Sequence, residues 1–167
     1  MNTQAPSPGP RIVVGVDGSG QSKLALRWAV SVAATTRASI DAVAAWHFPV
    51  NFGWGYVSDG WDPEADATKA LEDSVDEVFG TERPAGLRLL VRQGLPAKVL
   101  LDESRGATML IVGSRGHGGF AGLLLGSVSA NCAEHATCPV LVIHGDQPTP
   151  AGDRSGEIHQ ESDRRPE

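Results

Sequence analysis

Short apolar runs rich in β-branched residues alternate along this chain with longer stretches in which apolar residues recur every three or four positions. Ile12-Val13-Val14-Gly15-Val16 is the first such run, and it ends in Asp17-Gly18-Ser19. Its length and branching suit a buried strand. Leu24, Leu26, Trp28, Ala29, Val32 and Ala33 then fall at helical spacing, with Ser19 or Ser22 placed to cap the helix they predict. Ile40 to Trp46 reads as a second strand, and His47 to Pro63 as a long loop. Pro63 opens a helix expected to run to about Phe79, with Ala67, Ala70, Leu71, Val75 and Val78 inward. Leu87 to Val91 is a third strand, closed by Gly94, which reads as a turn; Pro96 opens a helix carrying Val99, Leu100 and Leu101. Met109 to Val112, a helix from Ser127 to Ala136 and Pro139 to Ile143 complete a β-α-β-α-β-α-β-α-β order. Helical crossovers between apolar strands imply a parallel sheet covered on both faces, an α/β fold. No 20–50-residue period repeats, which argues against a solenoid.

Composition and charge narrow the partners. At 167 residues with 41% apolar content the chain has enough material for one ordinary core. Its net charge of −6 and its lack of a Lys/Arg-rich run argue against nucleic acid, whose phosphates demand a basic face. No apolar run approaches the roughly 18 residues that span a bilayer. Residues 1–10 are Pro-rich and polar without a basic-then-apolar pattern, so a cytoplasmic location and no membrane association are expected. That segment and residues 146–167 hold too little apolar surface to offset ordering entropy and are expected to be disordered tails around a core at 11–145. Cys132 and Cys138 read as unpaired thiols, and no His or Cys falls at zinc-site spacing.

In an open parallel sheet, ligands collect beyond the C-terminal strand ends where strand order reverses. Two ends here carry suitable residues: Asp17-Gly18-Ser19, and the loop from Gly113 to Ser127, in which six of 15 residues are glycine. Glycines let backbone N–H groups turn inward and approach a phosphate. Gly126-Ser127 opens a helix whose free N–H groups and positive dipole end suit an anion, and Ser129 lies within reach of the same group. Arg115 either adds charge or points to solvent. The loop lacks the Gly-Lys-Ser/Thr of a Walker A loop, and its glycines follow the fourth strand rather than the first, unlike a dinucleotide fingerprint. A flexible surface loop is the plain alternative for such a composition.

The spacing Gly113-x2-Gly116-x9-Gly126-Ser127 resembles the G-2x-G-9x-G-S/T motif of the ATP-binding universal stress proteins. The first strand and its turn at residues 13–19, the fourth strand and loop at 111–116, and Cys138-Pro139-Val140-Leu141-Val142-Ile143 look like the matching parts of that family. The resemblance covers about residues 10–144. It implies a Rossmann-like sheet of strand order 3-2-1-4-5 that binds ATP, with or without Mg²⁺, across the ends of strands one and four. By that match Gly113, Gly116, Gly126 and Ser127 hold the phosphates, with Ser129 as a further contact. Asp17 meets the ribose or the metal–phosphate region, a weak metal-ligand assignment, and the backbone near Gly15, Val16 and Ala45 frames the adenine. Ser19, Ser114, Arg115, His117, Gly118, Gly119 and Val128 complete the candidate nucleotide-binding set. Many relatives have a His where this chain has Ala44; that position lies outside the phosphate motif. The family also implies homodimers, often paired through the fifth strand, and the apolar run Val140 to Ile143 at a sheet edge needs covering in any case.

The remaining candidates read more plainly. For Asp17 the alternative is a turn-forming Asp-Gly. His47, His117, His135 and His144 have no metal spacing and read as structural or solvated, with His117 notable for lying in the loop. Trp46, Phe48, Phe52, Trp54, Tyr56 and Trp61 form either a lid, a partner surface or a satellite core. The loop holds one Arg, one His and no Lys or carboxylate. Phosphoryl transfer needs positioned cations and a group orienting the nucleophile, so this inventory suits holding ATP better than cleaving it. The expected function is a nucleotide-dependent regulatory module of the stress response; the alternatives are a slow ATPase or nucleotidyl-transfer enzyme, or a structural protein with a vestigial loop.

Overall fold

The computed structural model describes residues 9–48, 61–116 and 125–145. Among the described residues nine elements alternate: β1 (Arg11–Gly15), α1 (Gly20–Thr36), β2 (Ser39–Trp46), α2 (Pro63–Phe79), β3 (Leu87–Gln93), α3 (Pro96–Glu103), β4 (Met109–Gly113), α4 (Ser127–His135) and β5 (Val140–Ile143). All four strand pairings are parallel, and the order across the sheet is β3-β2-β1-β4-β5. This is the α/β arrangement that alternation alone predicts, with the strand order that the resemblance implied.

Period-two alternation divides the core. Ile12, Val14, Ile40, Ala42, Ala44 and Ile111 face one layer, where Ala25, Leu26 and Ala29 of α1 and Leu71 and Val75 of α2 meet them. Val13, Val43, Leu110 and Val112 face the other, against Val99 and Leu100 of α3 and Cys132 of α4. The central strands β1 and β4 are closed over on both faces, which is why they read as continuous apolar runs. Ala44 points into the α1/α2 layer, whereas its neighbour Ala45 belongs to the α3/α4 layer.

Local chemistry sets the ends of the elements. Ser19, not Ser22, caps α1 by accepting the N–H of Ser22. Asp62 caps α2 through the N–H groups of Glu64 and Ala65, just ahead of Pro63 at the first helical position. Gly94 closes β3 at φ 146°, its N–H donated to the carbonyl of Trp46. One buried polar position was not foreseen. Asp41 on β2 is fully buried and accepts a two-pronged pair from Arg88 on β3 at 2.7 Å and a bond from Arg11 on β1 at 3.1 Å. Arg11 also donates to the carbonyls of Glu103 and Arg105, so the same cluster ties down the end of α3. It lies at the N-terminal ends of the strands, away from the loops considered next.

Candidate nucleotide-binding site

The C-terminal ends of β1 and β4 are adjacent, because the chain runs outward from β1 through β2 to β3 and then returns to the other side of β1. Between those ends lies a cavity of about 330 Å³, within the range of small-molecule sites. Its lining is of two kinds. One is apolar, made by Val43, Ala45, Pro96, Leu100 and Val112 with the backbone of Gly15 and Val16. The other is polar, made by Asp17, Ser22, Gly113, Arg115, Gly116 and the first turn of α4 from Gly126 to Ser129.

At three glycines an added Cβ would crowd a neighbour, each a different one. A Cβ on Gly15 would stand 2.9 Å from a methyl of Leu100, so this glycine lets α3 form the cavity floor. A Cβ on Gly113 would stand 2.9 Å from Cβ and 3.0 Å from the carbonyl carbon of Gln21, so this one lets the start of α1 lie against β4. A Cβ on Gly116 would fall 2.2 Å from Oδ2 of Asp17, which brings the two strand-end loops together. Around Gly126 there is only ordinary contact, 3.4 Å at nearest.

Asp17 is held in place. Its Oδ1 accepts both the N–H (3.0 Å) and the hydroxyl (2.6 Å) of Ser19, a side-chain turn that leads into α1. The turn reading of this residue is seen directly, and the same residue lies on the cavity lining.

The first turn of α4 brings free backbone donors to the cavity. The N–H of Gly126 is donated to the carbonyl of Ser114 at 2.7 Å, and the next intrahelical bond starts at Ala130. Among the described residues no partner is found for the N–H groups of Ser127, Val128 and Ser129, as expected for the first turn of a helix. The exposed Ser127 hydroxyl stands beside them on the cavity lining. The Ser129 hydroxyl is buried and directed to the carbonyls of Ser114 (2.9 Å) and Gly126 (3.0 Å). Its single proton thus closes the base of the loop.

Eleven of the sixteen candidate residues line the cavity: Gly15, Val16, Asp17, Ala45, Gly113, Arg115, Gly116, Gly126, Ser127, Val128 and Ser129. Ser19 caps α1, and Ser114 is buried beneath the loop; neither reaches the lining. His117, Gly118 and Gly119 lie outside the described residues. Sequence reasoning missed Ser22, Val43, Pro96, Leu100 and Val112. Their parity on the strands and the Gly94-x-Pro96 break before α3 were the signals available. It also missed Gln21, whose Oε1 accepts from the hydroxyl of Ser114 and the N–H of Arg115.

Of the aromatic candidates, the described Trp46, Phe48 and Trp61 are not on the cavity lining. Trp46, Phe48 and Trp61 make successive edge-to-face contacts, with ring centroids 5.5 and 6.4 Å apart, and the Trp61 ring N–H is donated to Asp66. Phe48 and Trp61 are exposed, and Phe52, Trp54 and Tyr56 fall outside the described residues. His47, His135 and His144 are exposed. Among the described residues there is no gathering of three His, Cys, Asp or Glu side chains, and no helix is long and apolar enough to cross a membrane.

Comparison with known proteins agrees with this geometry. The model of the Universal stress protein family matches residues 10–144. A universal stress protein of Mycolicibacterium smegmatis is 34% identical over 144 residues, 81% of this chain and 48% of the relative. One from Mycobacterium tuberculosis is 34% identical over 146 residues, 87% and 53%. The chain thus spans about half the length of the curated relatives it matches. Among solved structures, a universal stress protein from Lactobacillus plantarum superposes with a TM-score of 0.64 at 21% identity, covering 83% of this chain and 99% of that one. A universal stress protein in complex with cAMP superposes at 0.57 with 27% identity, again over 83% and 99%.

Proposed function

Since the chain belongs to the universal stress protein family, we propose that it binds ATP in the cavity between β1 and β4 and acts as a nucleotide-dependent regulatory module in the stress response. The observation that carries this reading is the mixed lining of the cavity, which combines apolar side chains with glycine backbone and a helix N-terminus. A nucleotide has the same mixed character. A base fits between Val43, Ala45 and Leu100, and phosphates suit Gly116 and the N–H groups that open α4. The neighbour solved with cAMP supports a nucleotide as the ligand class. The unbroken G-2x-G-9x-G-S spacing supports ATP within that class.

Arg115 is the one cationic side chain on the described lining, against the several negative charges of a triphosphate. Mg²⁺ would balance the difference, and Asp17 is the carboxylate on that lining able to join such an ion, with phosphate and water completing its oxygen shell. The same shortage of cations favours retention over cleavage, since phosphoryl transfer needs several positioned cations. A slow ATPase or nucleotidyl-transfer enzyme is the alternative.

Protein purified without added nucleotide and then denatured should release an adenine nucleotide, seen by ion-exchange chromatography. Titration calorimetry of stripped protein should give one ATP per chain. Absence of bound nucleotide together with no heat for ATP, ADP, AMP or cAMP would remove the assignment. Rapid multiple turnover that disappears in Asp17→Ala would instead make the protein an enzyme.

A further inference from the structure

One side chain outside the cavity lining ties the start of α1 to the loop that follows β4. Gln21 is the second residue of α1. Its Oε1 accepts the Ser114 hydroxyl at 2.6 Å and the Arg115 N–H at 2.8 Å. The oxygen must face this way, because a backbone N–H can only donate. Gly113 makes the approach possible, as its missing Cβ leaves space for Cβ of Gln21.

Ser114, buried at 1% exposure, passes the constraint on. Its N–H is donated to Ile143 of β5, its hydroxyl to Gln21, and its carbonyl accepts from the N–H of Gly126 and the hydroxyl of Ser129. One connected set of bonds therefore runs from α1 through the end of β4 to the first turn of α4. It has a second consequence: the N–H groups of Arg115 and Gly126 are both engaged. The donors left for an anion are those of Gly116 on one side and of Ser127, Val128 and Ser129 on the other, as no described residue accepts from them.

We propose that Gln21 is a positioning residue of the phosphate site. It holds the segment 114–116 so that the Gly116 backbone and the first turn of α4 face one anion, and it keeps the Arg115 N–H out of that site. The inference rests on the nucleotide-binding reading above. It predicts an effect on the phosphate end of the ligand that leaves the base end unchanged.

The test compares Gln21→Met, which keeps length and removes the acceptor, with Gln21→Glu, which keeps an acceptor at the same reach. Affinities for ATP and adenosine are measured by calorimetry, and backbone exchange of 114–116 by hydrogen–deuterium mass spectrometry. Gln21→Met should lose about tenfold in ATP affinity, the equivalent of one well-placed hydrogen bond, with adenosine affinity unchanged and faster exchange at Arg115. Gln21→Glu should restore slow exchange at Arg115. An unchanged ATP-to-adenosine affinity ratio in Gln21→Met, with wild type binding both, overturns the positioning role and leaves the nucleotide reading standing. Equal loss of both ligands marks a general structural defect and also overturns it. A wild type that binds neither ligand removes both proposals together.

Discussion

At the scale of single residues, the three glycines of the site do different jobs, and substitution separates them. In Gly116→Ala the new methyl would lie 2.2 Å from Oδ2 of Asp17, so the loop or the carboxylate must move. ATP affinity should fall by about tenfold or more, read by calorimetry, since either movement disturbs the polar lining of the cavity. In Gly113→Ala the methyl meets the backbone of Gln21 at 3.0 Å and of Ser22 at 3.2 Å, neither of which can rotate aside. That variant should cost about 1–3 kcal/mol in urea unfolding, as overpacking does. The motif spacing made these glycines visible in the sequence but did not say which served the ligand and which served packing. That depends on what lies opposite each, and the partners, Gln21 and Asp17, are roughly a hundred positions earlier in the chain. Ser114 and Ser129 show the same limit: a serine in a phosphate-loop motif reads as a ligand, while here the Ser114 side chain and the Ser129 hydroxyl serve to close the loop. Cys132 gives a residue-scale prediction of another kind. Burial, with a smaller contribution from the nearby Cys138, pushes its thiol up to about 11. Between the ordinary thiol range and that value the unfolded chain loses this proton while the folded protein keeps it, so the group favours unfolding as pH rises through the window. Stability should decline by on the order of 2 kcal/mol more between pH 9 and 11 in wild type than in Cys132→Ala, compared by urea unfolding at each pH.

At the scale of elements, the strands and helices were legible because each carries its own period. The helix from Pro63 to Phe79 was bounded from sequence as observed, since proline at its first position and a high-propensity interior mark it locally. β3 was read two residues short, because Arg92 and Gln93 look like loop residues and join the strand through the ladder with Ala45 and Trp46. The buried Asp41 could not be read at all. A carboxylate inside a run of Ile, Ala and Val looks like a break in a strand until the topology brings Arg11 and Arg88 to either side of it. The cluster gives a prediction about how β1, β2 and β3 stay together at their N-terminal ends. Arg88 is well exposed, so Arg88→Met alone leaves Arg11 as partner and should cost little. Arg11→Met with Arg88→Met leaves a buried carboxylate without its two cations, and should destabilise by about 3–5 kcal/mol. Chemical denaturation of the two singles and the double checks this. The double should exceed the sum of the singles, because each arginine compensates for loss of the other.

At the scale of the whole molecule, the sheet has two open edges, β3 and β5, and they are unlike. β3 carries Arg88, Arg92 and Gln93, the charged and polar side chains that discourage edge pairing. β5 is Val140-Leu141-Val142-Ile143 without a charge. Such an edge invites another strand, and we propose that a second copy of this chain supplies it, making a homodimer whose two cavities lie on separate chains. The ladder shows which groups would pair. Leu110 donates to the carbonyl of Pro139 and Ser114 to that of Ile143, so residues 139, 141 and 143 face β4. The N–H and C=O groups of Val140 and Val142 therefore point outward, available to a partner strand. Val142→Pro removes an outward N–H without taking a donor from the β4 ladder, a substitution that sheet edges tolerate. Sedimentation velocity should give a dimer for wild type and a monomer for Val142→Pro, with the circular dichroism spectra superimposable and the ATP affinity within about twofold. A wild-type monomer at tens of micromolar, or a variant that still dimerises while folded, shows that β5 is not the interface. Retained ATP binding in a monomeric variant would further establish that each nucleotide site is complete within one chain.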